Sequence, residues 1–302
     1  MMSIVARSVR VSAVSCAAAL ALLLSSVCAF AEPGLWVATG PNATVYLFGT
    51  VHLLRKDQPW ETPRIAKALA SSQELWLEIP DPGDATEAQR LIGALGFDRE
   101  HPLSTKLTPA VLAHLDQAAK AAGFPEGERT LEPMRPWLAS VALEDAMVVH
   151  SGFDPNAGAE ETLLHEAHAA GKSVRGFETM EQQMHFLADL SPALEIQMLQ
   201  NTLQDFDEGP QKLEALVDAW LKGDTASIAR TMVDEVRQPS PELYRRILVA
   251  RNEAWADAIA KMVEQPGVRF VAVGAAHLAG PDSVQVALQR RGVPVAQLLD
   301  TR

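Results

Sequence analysis

Cysteine is almost absent from this chain. The 302 residues hold two, Cys16 and Cys28, both before residue 32. That N-terminal stretch has the form of a signal peptide: Arg7 and Arg10 precede an apolar run from Val11 to about Leu24, and Ala29-Phe30-Ala31 supplies the small residues of a cleavage site. The run is shorter than the ~20 residues a helix needs to cross a bilayer. The expectation is therefore cleavage after Ala31 and release to the periplasm or medium, with no stable membrane anchor left. Two alternatives stay open, a retained signal anchor, because apolar residues continue to Val27, and lipidation of Cys28, for which Ser25-Ser26-Val27 is a poor approach sequence. Without its leader the chain has no cysteine, which excludes disulfides, thiolate nucleophiles and zinc–thiolate sites.

Basic residues are scarce too. Lys and Arg number 26 against 38 Asp and Glu, a formal charge of −12, and loss of Arg7 and Arg10 with the leader makes it −14. Nucleic acids and anionic membranes are recognised by clustered cations, so neither is an expected partner. The chain also lacks a Gly-x-Ser-x-Gly nucleophile elbow, a phosphate-binding P-loop and a Gly-x-Gly-x-x-Gly dinucleotide fingerprint. No Gly/Ser/Pro-rich linker or 20–50-residue repeat divides it, so residues 32–302 read as one domain.

Strand signals gather at the two ends. Leu35–Ala38 and Thr44–Phe48, around Gly40-Pro41-Asn42, read as a β-hairpin; Leu75–Ile79 and Arg269–Val273 read as strands, and Val293–Leu298 as another, placed by Pro294 at an edge. From about 85 to 263 apolar residues recur near 3.6 spacing, which predicts helices over Val111–Ala121, Pro136–Val149, Ala159–Ala170, Glu181–Leu190, Pro192–Phe206, Pro210–Lys222, Ala226–Val236 and Pro241–Val263. The predicted architecture is α/β: a small mixed sheet built from the terminal segments, with a large helical insertion over it.

The chemistry sits at strand ends. Phe48 leads into Gly49-Thr50-Val51-His52 and Val273 into Gly274-Ala275-Ala276-His277, so Gly-x-x-His follows an apolar strand twice. Glycine permits a sharp exit and close approach to a ligand, and the histidine can project into the crevice beyond the strand. Glu78 interrupts the apolar run Leu75-Trp76-Leu77-x-Ile79. If buried it must be paired or ligating; strand alternation could instead turn it to a solvated face. Two imidazoles and a carboxylate would form a reasonable first set of ligands for a divalent transition metal with water in an open position.

Leu47–Leu53, Glu78, the segment Gly176-Phe177-Glu178-Thr179-Met180-Glu181-Gln182-Gln183, Arg251–Trp255 and Val271–Leu278 resemble, in that order, the TraB/PrgY/GumN family over nearly the whole mature chain. The resemblance implies a fold related to TIKI proteases, ChaN-like haem-binding proteins and erythromycin esterases. It further implies a centre of His52, Glu78 and His277, both catalytic and metal-binding, with Mn²⁺ or Co²⁺ the metals expected for TIKI-like peptide hydrolysis and Zn²⁺ a further candidate. The esterase-like relatives imply a metal-free option, in which His52 is general base on water and Glu78 assists it.

Further candidates surround this set. Arg251 is poised either to hold a substrate carboxylate or oxyanion, with Asn252 adding a hydrogen bond, or to pair with a buried acid such as Glu178 while Trp255 packs. Asp154 and Glu178 are candidate substrate-binding acids whose other reading is structural, in a turn and near a helix start. His165 and His168 are spaced i,i+3, unlike the i,i+4 pair of a His-Glu-x-x-His zinc site, and read as a solvated face. The functional expectation is an exported, metal-dependent hydrolase of a peptide or related amide or ester. The alternative is a periplasmic protein that binds haem, a peptide signal or a small molecule without turnover.

Overall fold

The computed structural model describes residues 32–299, all within one compact unit that begins at Ala31. The expected signal peptide and its expected cleavage site after Ala31 lie outside the described residues. Six strands form one mixed sheet: β1 (Leu35–Thr39), β2 (Ala43–Thr50), β3 (Glu74–Leu77), β4 (Ser173–Gly176), β5 (Gly267–Gly274) and β6 (Val295–Gln297), in the order β4-β3-β5-β2-β1-β6. The hairpin is antiparallel, and β6 closes the β1 edge antiparallel as well. The four strands β4, β3, β5 and β2 run parallel.

Alternation along the central strands builds a core on each face of the sheet. Phe48, Leu75, Phe270 and Ala272 pack on one side with Trp60 and Trp220, while Leu47, Val271 and Val273 pack on the other with Trp255 and Ile259. Strands with buried residues on both faces read as unbroken apolar runs, which is why β2 and β5 were visible in sequence. The insertion has its own core, with Leu115, Leu143, Leu199 and Leu203 joining the helices Pro109–Ala121, Pro136–His150 and Pro192–Glu208.

Three features differ from expectation. β4 lies inside the segment expected to be helical; its alternation of exposed and half-buried residues carries no apolar run. β3 stops at Leu77, so Glu78 stands just beyond the strand and not within it. The helices expected over Ala226–Val236 and Pro241–Val263 each contain a π-helical segment, Ala229–Asp234 and Arg245–Val249. Such segments often mark functional sites because they re-aim the residues after them, and the second leads directly into the helix Ala250–Val263 that carries Arg251, Asn252 and Trp255.

Parallel register decides where the motifs meet. Thr50 is opposite Gly274, and Trp76 is opposite Val271, so the chain leaves β3, β5 and β2 at one common edge. Glu78, His277 and His52 all follow those carboxyl ends, where open α/β sheets form their crevices.

Candidate functional site

Glu78 is the anchor of the site. It is 7% exposed and receives three donors: Arg251 Nη2 at 2.5 Å and Gln183 Nε2 at 2.9 Å on one oxygen, and the Gly274 amide at 2.8 Å on the other. A Cβ at Gly274 would lie 3.2 Å from that carboxylate oxygen, a tight contact that glycine avoids. Gln183 is delivered by the helix Met180–Ala188, whose start is set by a reciprocal capping box between Thr179 and Gln182.

Arg251 lies between the rings of Phe186 and Trp255, at 5.3 and 4.7 Å. Its Nε and Nη2 reach Glu178 at 2.9 and 2.8 Å, Nη2 also reaches Glu78, and Nη1 serves the Ile247 carbonyl and His277 Nε2, both at 3.2 Å. All five guanidinium donors are thereby used inside the protein. Trp255 Nε1 adds a bond to Glu178 at 3.1 Å. Of the two readings of Arg251, the structure displays the pairing with buried acids.

His277 is buried, and its tautomer can be read from its neighbours. Asn252 Nδ2 donates to the Asp282 carbonyl at 2.8 Å, which turns Oδ1 toward His277 Nδ1 at 2.5 Å. Nδ1 therefore carries the proton, and the lone pair on Nε2 faces Arg251. Burial, opposed by Glu78, depresses the His277 pKa to about 3, so the ring is neutral at neutral pH. Burial also works against ionisation of Glu78, but His277, Arg251 and the Gly274 amide outweigh it and hold the carboxyl at about 2. Because His277 is uncharged at neutral pH, Arg251 and Gly274 carry that effect there.

A pH dependence of stability follows. A buried base with a depressed pKa leaves the unfolded chain binding more protons, so stability rises with pH between about 3 and the ordinary histidine value near 6.5. Glu78 acts in the same sense lower down, its contribution being lost as pH falls from about 4.5 toward 2. Urea unfolding at pH 7 and pH 5 is expected to show a marked loss of stability at pH 5 that is smaller in His277→Gln, where no imidazole remains to protonate. Equal losses in both proteins would remove His277 as the cause.

His52 behaves differently. Its side chain is 63% exposed, and Nδ1 lies 2.9 Å from the Glu160 carboxylate as a close ion-pair contact. That contact is the largest influence on the ring and raises its pKa above the ordinary value, with help from Glu78. Backbone contacts hold the loop: Ala159 N donates to the Val51 carbonyl at 3.0 Å, and a Cβ at Gly158 would fall 2.3 Å from the His52 carbonyl. Beneath it Trp220 Nε1 donates to the Gly49 carbonyl at 2.7 Å.

The structure therefore brings Glu78 and His277 to within 3.7 Å and sets His52 at the open rim, where the Glu78 carboxylate raises its pKa and the Arg251 guanidinium lowers it. Asn252 and Glu178 are turned to partners within the protein. Asp154 caps a turn through bonds to Asn156 N at 2.8 Å and Nδ2 at 3.0 Å, while its amide donates to the Leu54 carbonyl. Glu160, Gln183 and Phe186 carried no assigned role in the sequence. Acids in a first helical turn are common enough that Glu160 gave no signal, and the contacts of Gln183 and Phe186 exist only across the fold.

As arranged, His52, Glu78 and His277 do not fit a divalent cation. Both oxygens of Glu78 are engaged, His277 Nε2 faces a guanidinium, and a dication between them would lie against the fixed charge of Arg251. Among the described residues no group of three or more His, Cys, Asp or Glu is gathered to hold one ion.

Fold and site define an α/β protein with a buried charge cluster and a rim histidine at the carboxyl ends of parallel strands. The TraB/PrgY/gumN family matches residues 34–297, and the chain belongs to that family. An uncharacterized protein of Treponema pallidum (strain Nichols) is similar, 24% identical over 285 residues that span 89% of this chain and 83% of that one. No solved structure matches.

Proposed function

We propose that the protein is an exported hydrolase of a peptide or related amide or ester bond, with His52 as the general base. The observation that carries this reading is the contrast between the two motif histidines: His277 is buried and neutral, whereas His52 is open to solvent with a carboxylate at Nδ1. A carboxylate there favours the tautomer that leaves Nε2 free to accept a proton from water. The water oxygen then attacks the carbonyl carbon, and His52 returns the proton to the leaving nitrogen or oxygen. The cluster beneath contributes position and field. Within it Glu78 raises the His52 pKa and so favours protonation of His52 during attack, while Arg251 opposes it. Export rests on the leader sequence, with Arg7, Arg10 and the apolar run after them.

One observation favours the second reading, a protein that binds without turnover: every donor of Arg251 is already satisfied, so no cation in the cluster is free to meet an oxyanion. A panel of peptide anilides, internally quenched peptides and esters separates the two. Hydrolysis is expected to survive exhaustive chelation and to rise with pH through the raised pKa of His52. Activity that disappears on chelation and returns with Mn²⁺, Co²⁺ or Zn²⁺ would overturn the metal-free chemistry, and a purified protein with a haem absorbance band and no turnover would overturn the hydrolase.

A further inference from the structure

Thr50, in the first Gly-x-x-His turn, takes no part in the hydrogen bonds of the buried cluster. It is the last residue of β2 and only 2% exposed, and among the described residues its Oγ1 is a buried atom without a hydrogen-bond partner. Protein interiors satisfy nearly all such groups, with a protein atom or an ordered water. The second repeat has Ala275 at the same place, so only the turn that leads to His52 carries a hydroxyl.

Strand register places this hydroxyl at the candidate site. Thr50 is the parallel partner of Gly274, and paired residues of parallel strands project to the same face about 4.8 Å apart. The space that a side chain at Gly274 would fill is taken by Glu78 Oε1 and the His277 ring, 3.2 and 3.6 Å from the Cβ position. Thr50 therefore stands one strand away from the Glu78 carboxylate and two residues before His52. The two oxygens of Glu78 are unequally filled. Oε2 accepts from both Arg251 and Gln183, whereas Oε1 accepts from the Gly274 amide. A carboxylate oxygen has about two lone-pair sites, so Oε1 retains room for one more donor.

We propose that Thr50 is a catalytic residue, which holds the attacking water together with Glu78 Oε1 and His52. The Thr50 hydroxyl donates to the water oxygen, and the water donates one hydrogen to Glu78 Oε1 and the other to His52 Nε2. Three such contacts fall within the two to four that a buried water makes. They leave one lone pair on the water oxygen. That pair forms the new bond to the carbonyl carbon while His52 Nε2 takes the proton, and the proton passes to the leaving nitrogen or oxygen as the old bond breaks. A neutral water is compatible with the fixed charge of Arg251, which works against a dication at this place. The inference deepens the hydrolase reading: the water site rests on geometry, and its use in turnover rests on that reading.

The test compares the protein from Glu32 onward with Thr50→Val, which removes the hydroxyl and keeps the shape. Crystal structures of both are expected to show an ordered water within about 3.2 Å of Thr50 Oγ1 and Glu78 Oε1 in the first and none there in the second. On whichever anilide, peptide or ester is cut fastest, Thr50→Val is expected to lower kcat by about 10–100-fold with KM within about twofold, because the loss falls on the reacting water and not on substrate binding. Thr50→Ser keeps a hydroxyl and is expected to retain more of kcat than Thr50→Val. Urea midpoints establish that each variant is folded. Three results would each overturn the role of Thr50: wild-type kcat in a folded Thr50→Val, a serine variant no better than the valine one, or a Thr50 hydroxyl in the unaltered protein that bonds a protein group and no water. A water at that place with no turnover of any substrate would leave the water site standing and overturn the hydrolase instead.

Discussion

Replacing Arg251 with alanine is expected to lower the unfolding free energy at neutral pH by about 3–5 kcal/mol, the cost of breaking a buried ion pair from one side. Glu78 and Glu178, each less than 10% exposed at the side chain, would remain together without the cation that both share. The loss should shrink in acid, where Glu78, freed of the guanidinium that helps hold its carboxyl low, can take up a proton. Lysine is a poor substitute, because one ammonium cannot fork onto two carboxylates while it also faces His277. The triple variant Arg251→Met, Glu78→Gln, Glu178→Gln should recover much of the loss, since it removes the uncompensated charges and keeps the volume between Phe186 and Trp255. Urea unfolding of the three proteins decides the matter. An Arg251→Ala protein within about 1 kcal/mol of wild type would mean that water or rearrangement already compensates these acids.

The second large effect falls on turnover and leaves folding nearly untouched. His52→Ala is expected to reduce kcat/KM by about 10²–10⁴-fold, the usual contribution of a positioned general base. Its exposed ring contributes little packing, so unfolding should change by no more than about 0.5–1 kcal/mol. Glu160→Gln is the more telling companion. It keeps a polar group at Nδ1 and removes the charge that raises the His52 pKa, so the acid limb of the kcat/KM profile should move to lower pH while part of the activity remains. Steady-state kinetics from pH 5 to 9 on the same substrate tests both. A folded His52→Ala protein with wild-type turnover would exclude His52 as the base, and an unmoved limb in Glu160→Gln would dissociate Glu160 from it.

These expectations draw on two different kinds of information. The Gly-x-x-His repeats were legible because strand, glycine exit and histidine are neighbours in the chain, and their apolar strands are long enough to stand out. Glu78 was legible as an anomaly, a carboxylate in an apolar run, although the strand ends one residue earlier than that run suggested. β4 was not legible, since its four residues gain strand character only by lying beside β3. Nor was Glu160, whose place in a first helical turn has an ordinary explanation until His52 is seen 2.9 Å away.

The sequence alone thus determined the mixed α/β class, the helical middle and the residues that could carry chemistry, because periodicity, turn glycines and misplaced charges are local properties. Only the tertiary structure decided what those residues do to one another. Parallel register brought three strand ends to one edge, and the π segment at Arg245–Val249 led into the helix that sets Arg251 among Glu78, Glu178 and His277. Ionisation depends on distance and burial: two histidines in the same Gly-x-x-His motif therefore differ, His277 buried and neutral, His52 at the rim beside a carboxylate.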